Sequence, residues 1–415
     1  MKNKLIENIF SMVSLRGLEY ILSFILVPYL LRVLGPENFG AIAFMQGIIA
    51  YINIVIDYGF NLTAPRAIVM SSKENLSGVF SAYFWGKLFL WLGVSLVAVF
   101  VFVILQSVFE INFNLSLFIV VYFSVIGNVL FPIWFFQGIQ EMRYITILNL
   151  MGRLLSIVCI FLFVHEAGDY ILAAFFQSIV TVIAGLGSLY MIYTRFPGVL
   201  KHPNKNNIIF VYKEGWRIFV SMLAVNLYTT SNLVILGLFT NNTIVGYYSG
   251  ADKLINCIRR GIDAINTAVY PYITNLMQYD MRKSLSFLYK QIKIYAICGI
   301  CCGVILLFGA PWIIHQLLGM QYSETIVLFQ IMSFIPLAVS ISNILGGEIL
   351  LPLKKEKAYS NILCFGAAFN LSIIIPLTYL YGAQGTAITY LCTESLITLS
   401  MGFIVYKKNY LRMRR

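Results

Sequence analysis

The chain has 415 residues, of which 60% are hydrophobic and only 11% charged, with a formal net charge of +12 and a mean hydropathy of +0.83. A soluble domain carries about 25% charged residues, so this composition excludes an ordinary soluble protein and indicates one whose apolar surface faces lipid. The basic residues are dispersed over many connections, which argues against nucleic acid as a partner.

Long apolar runs fill almost the whole chain. A membrane-spanning helix needs about 20 predominantly apolar residues, and the sequence predicts an all-α integral membrane protein with about twelve such helices. The first apolar run continues past residue 30 without a small-residue cleavage site, so it is predicted to be a helix and not a cleaved signal peptide. The predicted spans are 5–33, 37–61, 78–106, 113–138, 143–165, 169–195, 207–240, 244–275, 283–309, 323–351, 358–381 and 384–406.

Prolines interrupt several of these spans. In membrane helices a proline acts either as a hinge or as a kink whose freed backbone groups are satisfied by neighbouring helices. The sequence leaves both interpretations open for Pro28, Pro132, Pro311, Pro336 and Pro376.

The spans divide into two groups of six. We expect an N-terminal lobe over 1–196, a cytoplasmic linker over 197–206 and a C-terminal lobe over 207–415, because the linker region is rich in Pro, Asn and Lys. An even number of helices per lobe brings both lobes into the membrane from the same side. The two lobes are therefore predicted to be related by a pseudo-twofold axis along the membrane normal and to enclose a cleft, as in transporters.

Two landmarks suggest that the halves are repeats. Gly40 and Gly246 are 206 residues apart, and the same offset relates Pro65 to Pro271.

Loop charges predict the topology. Arg32 is the only basic loop residue predicted on one side of the membrane. By the positive-inside rule the other side, which carries both termini, is cytoplasmic. The basic residues on that side are Lys2, Lys4, Arg66, Lys73, Arg143, Arg195, Lys201, Lys205, Arg282, Lys283, Lys354, Lys355, Lys357, Lys407, Lys408, Arg412, Arg414 and Arg415.

Charged residues also occur inside the spans, where each costs at least about 2.5–3.5 kcal/mol. Arg16 is about eleven residues into the first span, roughly 16 Å deep, and the predicted eighth helix carries the densest group. We predict a water-filled cavity lined by cations that binds an anionic substrate, above all a phosphate. Its candidate binding residues are Arg16, Lys87, Arg153, Lys253, Arg259 and Arg260, and the candidates for ion coupling or pairing are Glu19, Asp57, Asp263 and Glu394.

Two other interpretations of these charges stay open. Arg16 with Glu19, and Arg260 with Asp263, could be ion pairs that serve packing alone. Four residues near the cytoplasmic interface could instead extend their charged ends to water, which is called snorkelling. These are Lys87, Lys290, Lys293 and Glu348.

Signatures of enzymes are weak. The chain has no G-x-x-x-x-G-K-[ST] sequence for binding ATP phosphates, and its seven cysteines fall inside apolar runs. No catalytic residue, metal site or cofactor is predicted.

Several segments resemble the O-antigen flippase family Wzx, of the multidrug/oligosaccharidyl-lipid/polysaccharide exporter superfamily. They are LRVLGPENFGAIAF (Leu31 to Phe44), DYGFNLTAPRAI (Asp57 to Ile68), FPIWFFQGIQEMRYITILN (Phe131 to Asn149), and VGYYSGADKLI with AVYPYI in the second half. The resemblance implies two six-helix lobes in the bacterial inner membrane. It also implies that undecaprenyl-diphosphate-linked oligosaccharide moves from the cytoplasmic to the periplasmic leaflet by alternating access.

Relatives such as the lipid II flippase have a cationic cavity and a lateral portal between helices one and eight, the two helices richest in charge here. Membrane lipid and other O-antigen assembly proteins are the implied partners. A cation-coupled drug exporter of the same superfamily, an O-antigen polymerase or ligase, and a non-transporting scaffold are the alternatives.

Overall fold

Helices dominate the computed structural model of the chain, which describes residues 2–72, 74–108 and 114–407. Side chains at several helical positions, including all of 2–21, lie outside this description. The helices are α1 (Lys2–Asp57), α2 (Phe60–Met70), α3 (Leu76–Val108), α4 (Leu115–Leu130), α5 (Ile133–Gly138), α6 (Met142–Phe163), α7 (Tyr170–Arg195), α8 (Lys205–Thr229), α9 (Ser231–Phe239), α10 (Asn242–Tyr279), α11 (Met281–Leu317), α12 (Thr325–Met332), α13 (Ile335–Asn343) and α14 (Glu356–Lys407). Short 3₁₀ turns lie at Ala167–Asp169 and Met320–Tyr322, and a π-helix runs over Ile344–Leu350.

Eight helical stretches in the described part of the chain are long and apolar enough to cross a membrane. Two of them, Phe24–Met70 and Glu356–Lys407, have 47 and 52 residues. At about 1.5 Å per residue these far exceed a hydrocarbon core of about 30 Å. Each contains a glycine with positive φ, Gly35 at 74° and Gly382 at 54°, at the positions where the sequence predicts a connection between spans.

Apolar side chains cover the outside of these helices. On α3, Leu96 is 73% exposed and Phe100 is 65% exposed. Clusters of exposed apolar groups are unusual on soluble monomers, and here they form a surface for lipid. The chain is a multi-pass membrane protein.

The prolines have different roles. Pro132 ends α4 and caps α5, and Pro336 lies in the first turn of α13. Pro28, Pro311 and Pro376 lie inside helices. The hinge and the kink interpretations therefore both stay predictions for these three.

Two predicted span ends are also wrong. The second span was expected to end at residue 61, but Tyr58 and Gly59 adopt left-handed conformations and α2 then continues to Met70. It does so because Phe60, Ala64 and Ile68 are buried on one face that packs against α5. The ninth span, expected to end at 309, continues through Pro311 to Leu317.

By internal contacts the chain forms two compact units. The first comprises Met1–Leu22 and Met45–Asn226, and the second Ser23–Phe44 and Leu227–Arg415.

An aromatic core holds the first unit together. Trp134 and Phe80 are buried with ring centroids 5.4 Å apart, and Phe60 meets Tyr83 edge-on at 5.2 Å. The connection between α7 and α8 is fastened to α3, because Lys201 donates its backbone N–H to Ser81 Oγ (2.7 Å) and its carbonyl accepts from Trp85 Nε1 (2.9 Å).

A close helix crossing organises the second unit. A Cβ atom on Gly40 would clash with the Asn242 carbonyl, and one on Gly246 would clash with the Pro36 carbonyl. Pro36 and Asn242 are 206 residues apart, as are the two glycines. The crossing is therefore reciprocal, and it depends on glycine because only a missing side chain lets two backbones approach this closely.

Candidate functional site

A buried ion pair lies inside the first unit. Lys87 Nζ on α3 is 2.8 Å from Asp57 Oδ1 on α1, with side-chain exposures of 2% and 22%. Lys87 also donates to the backbone carbonyl (2.9 Å) and to Oδ1 (3.1 Å) of Asn128 on α4. Asn128 Nδ2 in turn donates to Asn53 Oδ1 (2.9 Å) and Asp57 Oδ1 (3.2 Å).

Pro132 explains why Lys87 finds a backbone acceptor here. In an α-helix the Asn128 carbonyl would accept from the N–H of residue 132. Proline has no N–H, so the carbonyl is left for the lysine. The prediction that Lys87 snorkels to the interface is therefore wrong.

An ammonium group has three N–H donors. Those of Lys87 are matched by Asp57 Oδ1 and the two oxygens of Asn128. In this arrangement Lys87, predicted to bind substrate, has no donor left for a ligand. Lys87 and Asp57, assigned from sequence to different roles, act together as one internal pair.

Arg259 is the centre of a second polar cluster, in the second unit. Its Nη1 donates to Asn256 Oδ1 (3.2 Å) and to the hydroxyl of Tyr390 on α14, and the guanidinium carbon lies 6.0 Å from the Tyr390 ring centroid. Its Nε is buried and has no hydrogen-bond partner among the described residues. The guanidinium is thus anchored through one nitrogen and keeps an unused donor.

Three acidic side chains act electrostatically on this guanidinium. Asp252, Asp263 and Glu394 all lie within electrostatic range of Arg259. Asp252 also attracts Lys253 and Arg260. The three acidic groups equal the three basic ones in number, so the excess of positive charge expected of the predicted eighth helix (244–275, now α10) does not extend to this described cluster.

The remaining predicted residues are distributed over both units. Arg16 and Glu19 lie on α1, but outside the residues whose side chains are described. Arg153 on α6 and Lys253 on α10 are half-buried, and Arg260 is exposed. Asp263 accepts a hydrogen bond from Asn343 Nδ2 (2.8 Å). Glu394 is buried.

Sequence reasoning missed several members of these clusters. Asn128 carries a signal in hindsight, because it stands four residues before a proline. Asp252 directly precedes Lys253 and was overlooked among its basic neighbours. Tyr390 has no signal in the sequence, since only the packing of α14 against α10 brings its hydroxyl to Arg259.

Residues 5–277 match the family described as polysaccharide biosynthesis protein. A protein of Escherichia coli (strain K12) named as an O-antigen transporter is 30% identical over 405 residues, covering 96% of each chain. The chain belongs to the polysaccharide biosynthesis protein family. The resemblance to O-antigen flippases predicted from the sequence motifs is confirmed.

Solved structures show that this member of the polysaccharide biosynthesis protein family shares its fold with membrane transporters. The lipid II flippase MurJ, in an inward closed conformation, matches with a TM-score of 0.74 at 13% identity, over 97% of this chain and 89% of that one. An inward-facing multidrug resistance transporter of the MATE family matches with a TM-score of 0.72 at 14% identity, over 94% of each chain.

Proposed function

We propose that this protein is a flippase that moves polyprenyl-diphosphate-linked O-antigen repeat units from the cytoplasmic to the periplasmic leaflet of the bacterial inner membrane. The family match and the full-length similarity to a protein named as an O-antigen transporter support the substrate class. In this proposal about twelve helices form two lobes, 1–196 and 207–415 with a linker at 197–206. Both termini are cytoplasmic, and alternating access carries the headgroup across.

The hydrogen bonding of the Arg259 guanidinium is the observation that carries the proposal. A guanidinium pairs side-on with a phosphate through Nε and one terminal nitrogen. In Arg259 the anchoring bonds to Asn256 and Tyr390 use Nη1, whereas the buried Nε has no partner. Leaving a buried donor unpaired costs about 1–3 kcal/mol, and a diphosphate oxygen would satisfy it.

Lys253 and Arg260, on the same helix as Arg259, add positive charge to the proposed site. Arg16 and Arg153, in the first unit, stay candidate binding residues. The polyprenyl tail stays in lipid. The membrane potential assists, because two negative charges that cross 100 mV outward gain about 4.6 kcal/mol, at roughly 2.3 each.

Replacing Arg259 by Lys tests this role. The charge is kept but the planar fork is lost, and a hydrogen bond to a charged group contributes about 1.5–3 kcal/mol. We expect O-antigen display to fall by at least about tenfold in cells that depend on this protein, as seen on gels of lipopolysaccharide. Exposed Arg66, replaced by Lys, is the matched control and should leave display unchanged at equal membrane abundance. Normal O-antigen display in cells with Arg259→Lys would show that Arg259 does not bind the diphosphate.

A cation-coupled drug exporter is the second candidate. The three acidic side chains around Arg259 favour it, because they could bind a cationic drug. Resistance of cells that overproduce the protein to cationic dyes and drugs separates the two functions. The flippase proposal predicts no gain in resistance.

A further inference from the structure

Glu348 is a buried acid in the second unit with no basic partner among the described residues. It lies in the π-helix Ile344–Leu350, is only 2% exposed, and both of its carboxylate oxygens lack a hydrogen-bond partner among the described residues. None of the ion pairs in the described part of the chain involves it. The prediction that Glu348 snorkels to the interface is therefore wrong.

Gln291 on α11 is its polar neighbour. The two side chains are close enough to interact, yet both amide atoms of Gln291 are also buried without a partner. A protonated carboxyl group and an amide can bond reciprocally, O–H to carbonyl and N–H to carbonyl. When the acid loses its proton, the amide N–H still donates to the carboxylate. A small side-chain rotation therefore gives Glu348 a partner in either protonation state.

The groups that face Glu348 do not neutralise a negative charge. Tyr295, one turn beyond Gln291, donates to Asn266 Oδ1 (2.9 Å). Tyr359 on α14 packs its ring against Gly346. Asp263 on α10, which lies within electrostatic range of Tyr295, is acidic. An isolated buried carboxylate is so costly that such a group takes up a proton instead, and the surroundings of Glu348 thus favour the protonated acid.

The π-helix offers a way to move this acid. π-Helical segments are rare and often occur at functional sites. Here the extra residue is accommodated beside Gly346 and Gly347, and Leu351 N–H bonds to the Gly346 carbonyl (3.0 Å). A return to α-helical register shifts the segment by one residue and turns Glu348 by about 100°. Such a turn would carry the side chain out of its present surroundings.

We propose that Glu348 is a proton-binding site that couples transport to the pH difference across the membrane. Its carboxylate takes a proton from water on one side, forms the buried neutral acid, and returns the proton to water on the other side when the π-helix changes register. The coupling to transport rests on the proposed flippase function, whereas proton binding by Glu348 is a separate property.

The first test is spectroscopic. Reconstituted wild-type protein should show the infrared C=O stretch of a protonated carboxylic acid near neutral pH. Glu348→Gln should lose that band, and exposed Glu356→Gln, the matched control, should keep it. If Glu348→Gln is not recovered as folded protein, Glu348→Asp keeps an acid and should shift the pH at which the band is half-maximal. A band that is absent from wild type, or unchanged in Glu348→Gln and Glu348→Asp, overturns the proposal.

The second test measures flipping of a polyprenyl-diphosphate-linked oligosaccharide in liposomes with and without a pH gradient. If one proton is coupled to each lipid, a gradient of one pH unit changes the final distribution by up to about tenfold. Wild type and Glu356→Gln should respond, whereas Glu348→Gln should flip lipid without responding. A wild type that flips but ignores the gradient contradicts the coupling. A wild type that never flips contradicts the proposed function instead, and the infrared band still decides whether Glu348 binds a proton.

Discussion

Replacing Lys87 by Met tests whether the buried pair with Asp57 supports the first unit. The substitution keeps an unbranched side chain of similar volume but removes three donated hydrogen bonds. It leaves the Asp57 carboxylate and both oxygens of Asn128 without the ammonium. Removal of one partner from a buried pair typically costs 3–5 kcal/mol, and since Asp57 is 22% exposed we expect a loss of about 3 kcal/mol.

Thermal unfolding in detergent measures this loss. Because the first unit has roughly 200 residues, a size at which 1 kcal/mol shifts the Tm by about 2–4 °C, its apparent Tm should fall by roughly 6–12 °C. All variants are heated at one rate because unfolding of such proteins is often irreversible. The double variant Lys87→Met with Asp57→Asn should recover most of the loss, because no unpaired charge remains. Lys290→Met, at an exposed lysine, is the control and should stay near wild type. An unchanged Tm in Lys87→Met, or a double variant no better than the single one, would refute the reasoning.

Two further substitutions test the second unit. Gly246→Ala should lower the apparent Tm by at least several degrees, because the added Cβ would clash with the Pro36 carbonyl. The control Gly78→Ala, at a glycine with open space around it, should be neutral or slightly stabilising. Equal effects of the two substitutions would contradict the role of the crossing. Arg32→Gln should lower the Tm by a few degrees. Arg32 donates hydrogen bonds to the last carbonyls of α11, including that of Leu317 (2.9 Å), and a cation is favourable at the C-terminal end of a helix. An unchanged melting curve would argue against a capping role for Arg32.

The positions of the helices follow closely from the sequence, because each depends on a local apolar run that a bilayer selects. Even the breaks at Gly35 and Gly382 lie where the spans were expected to separate. The exceptions depend on packing. α2 continues to Met70 because its apolar face meets α5, a contact that hydropathy along the chain does not reveal.

Partners of the charged residues were harder to predict. Lys87 was assigned to a cavity or to the interface, because its partners Asp57 and Asn128 come from two other helices. The distinction between a lysine that binds substrate and one that stabilises the fold depends on how those helices pack. Glu348 was misjudged for a similar reason: its depth along the helix suggested the interface, whereas its burial is set by the elements around it.

The internal repeat stays a prediction. Gly40 and Gly246 were paired because each lies in the segment after the first predicted helix of its half, 206 residues apart, and in the structure they lie at one crossing with reciprocal contacts. The division into lobes at 197–206, the pseudo-twofold axis and the cytoplasmic position of both termini stay predictions.

Reconstitution of the purified wild-type protein tests the central claim most directly. Liposomes would carry a labelled polyprenyl-diphosphate-linked oligosaccharide in both leaflets, and an added glycosidase would cleave only the headgroups in the outer leaflet. With the protein present, nearly all of the label should become cleavable with time, since lipid from the inner leaflet is continually brought outward. Cleavage that stops at the outer-leaflet half, as in protein-free liposomes, would contradict the proposal that this protein is a flippase.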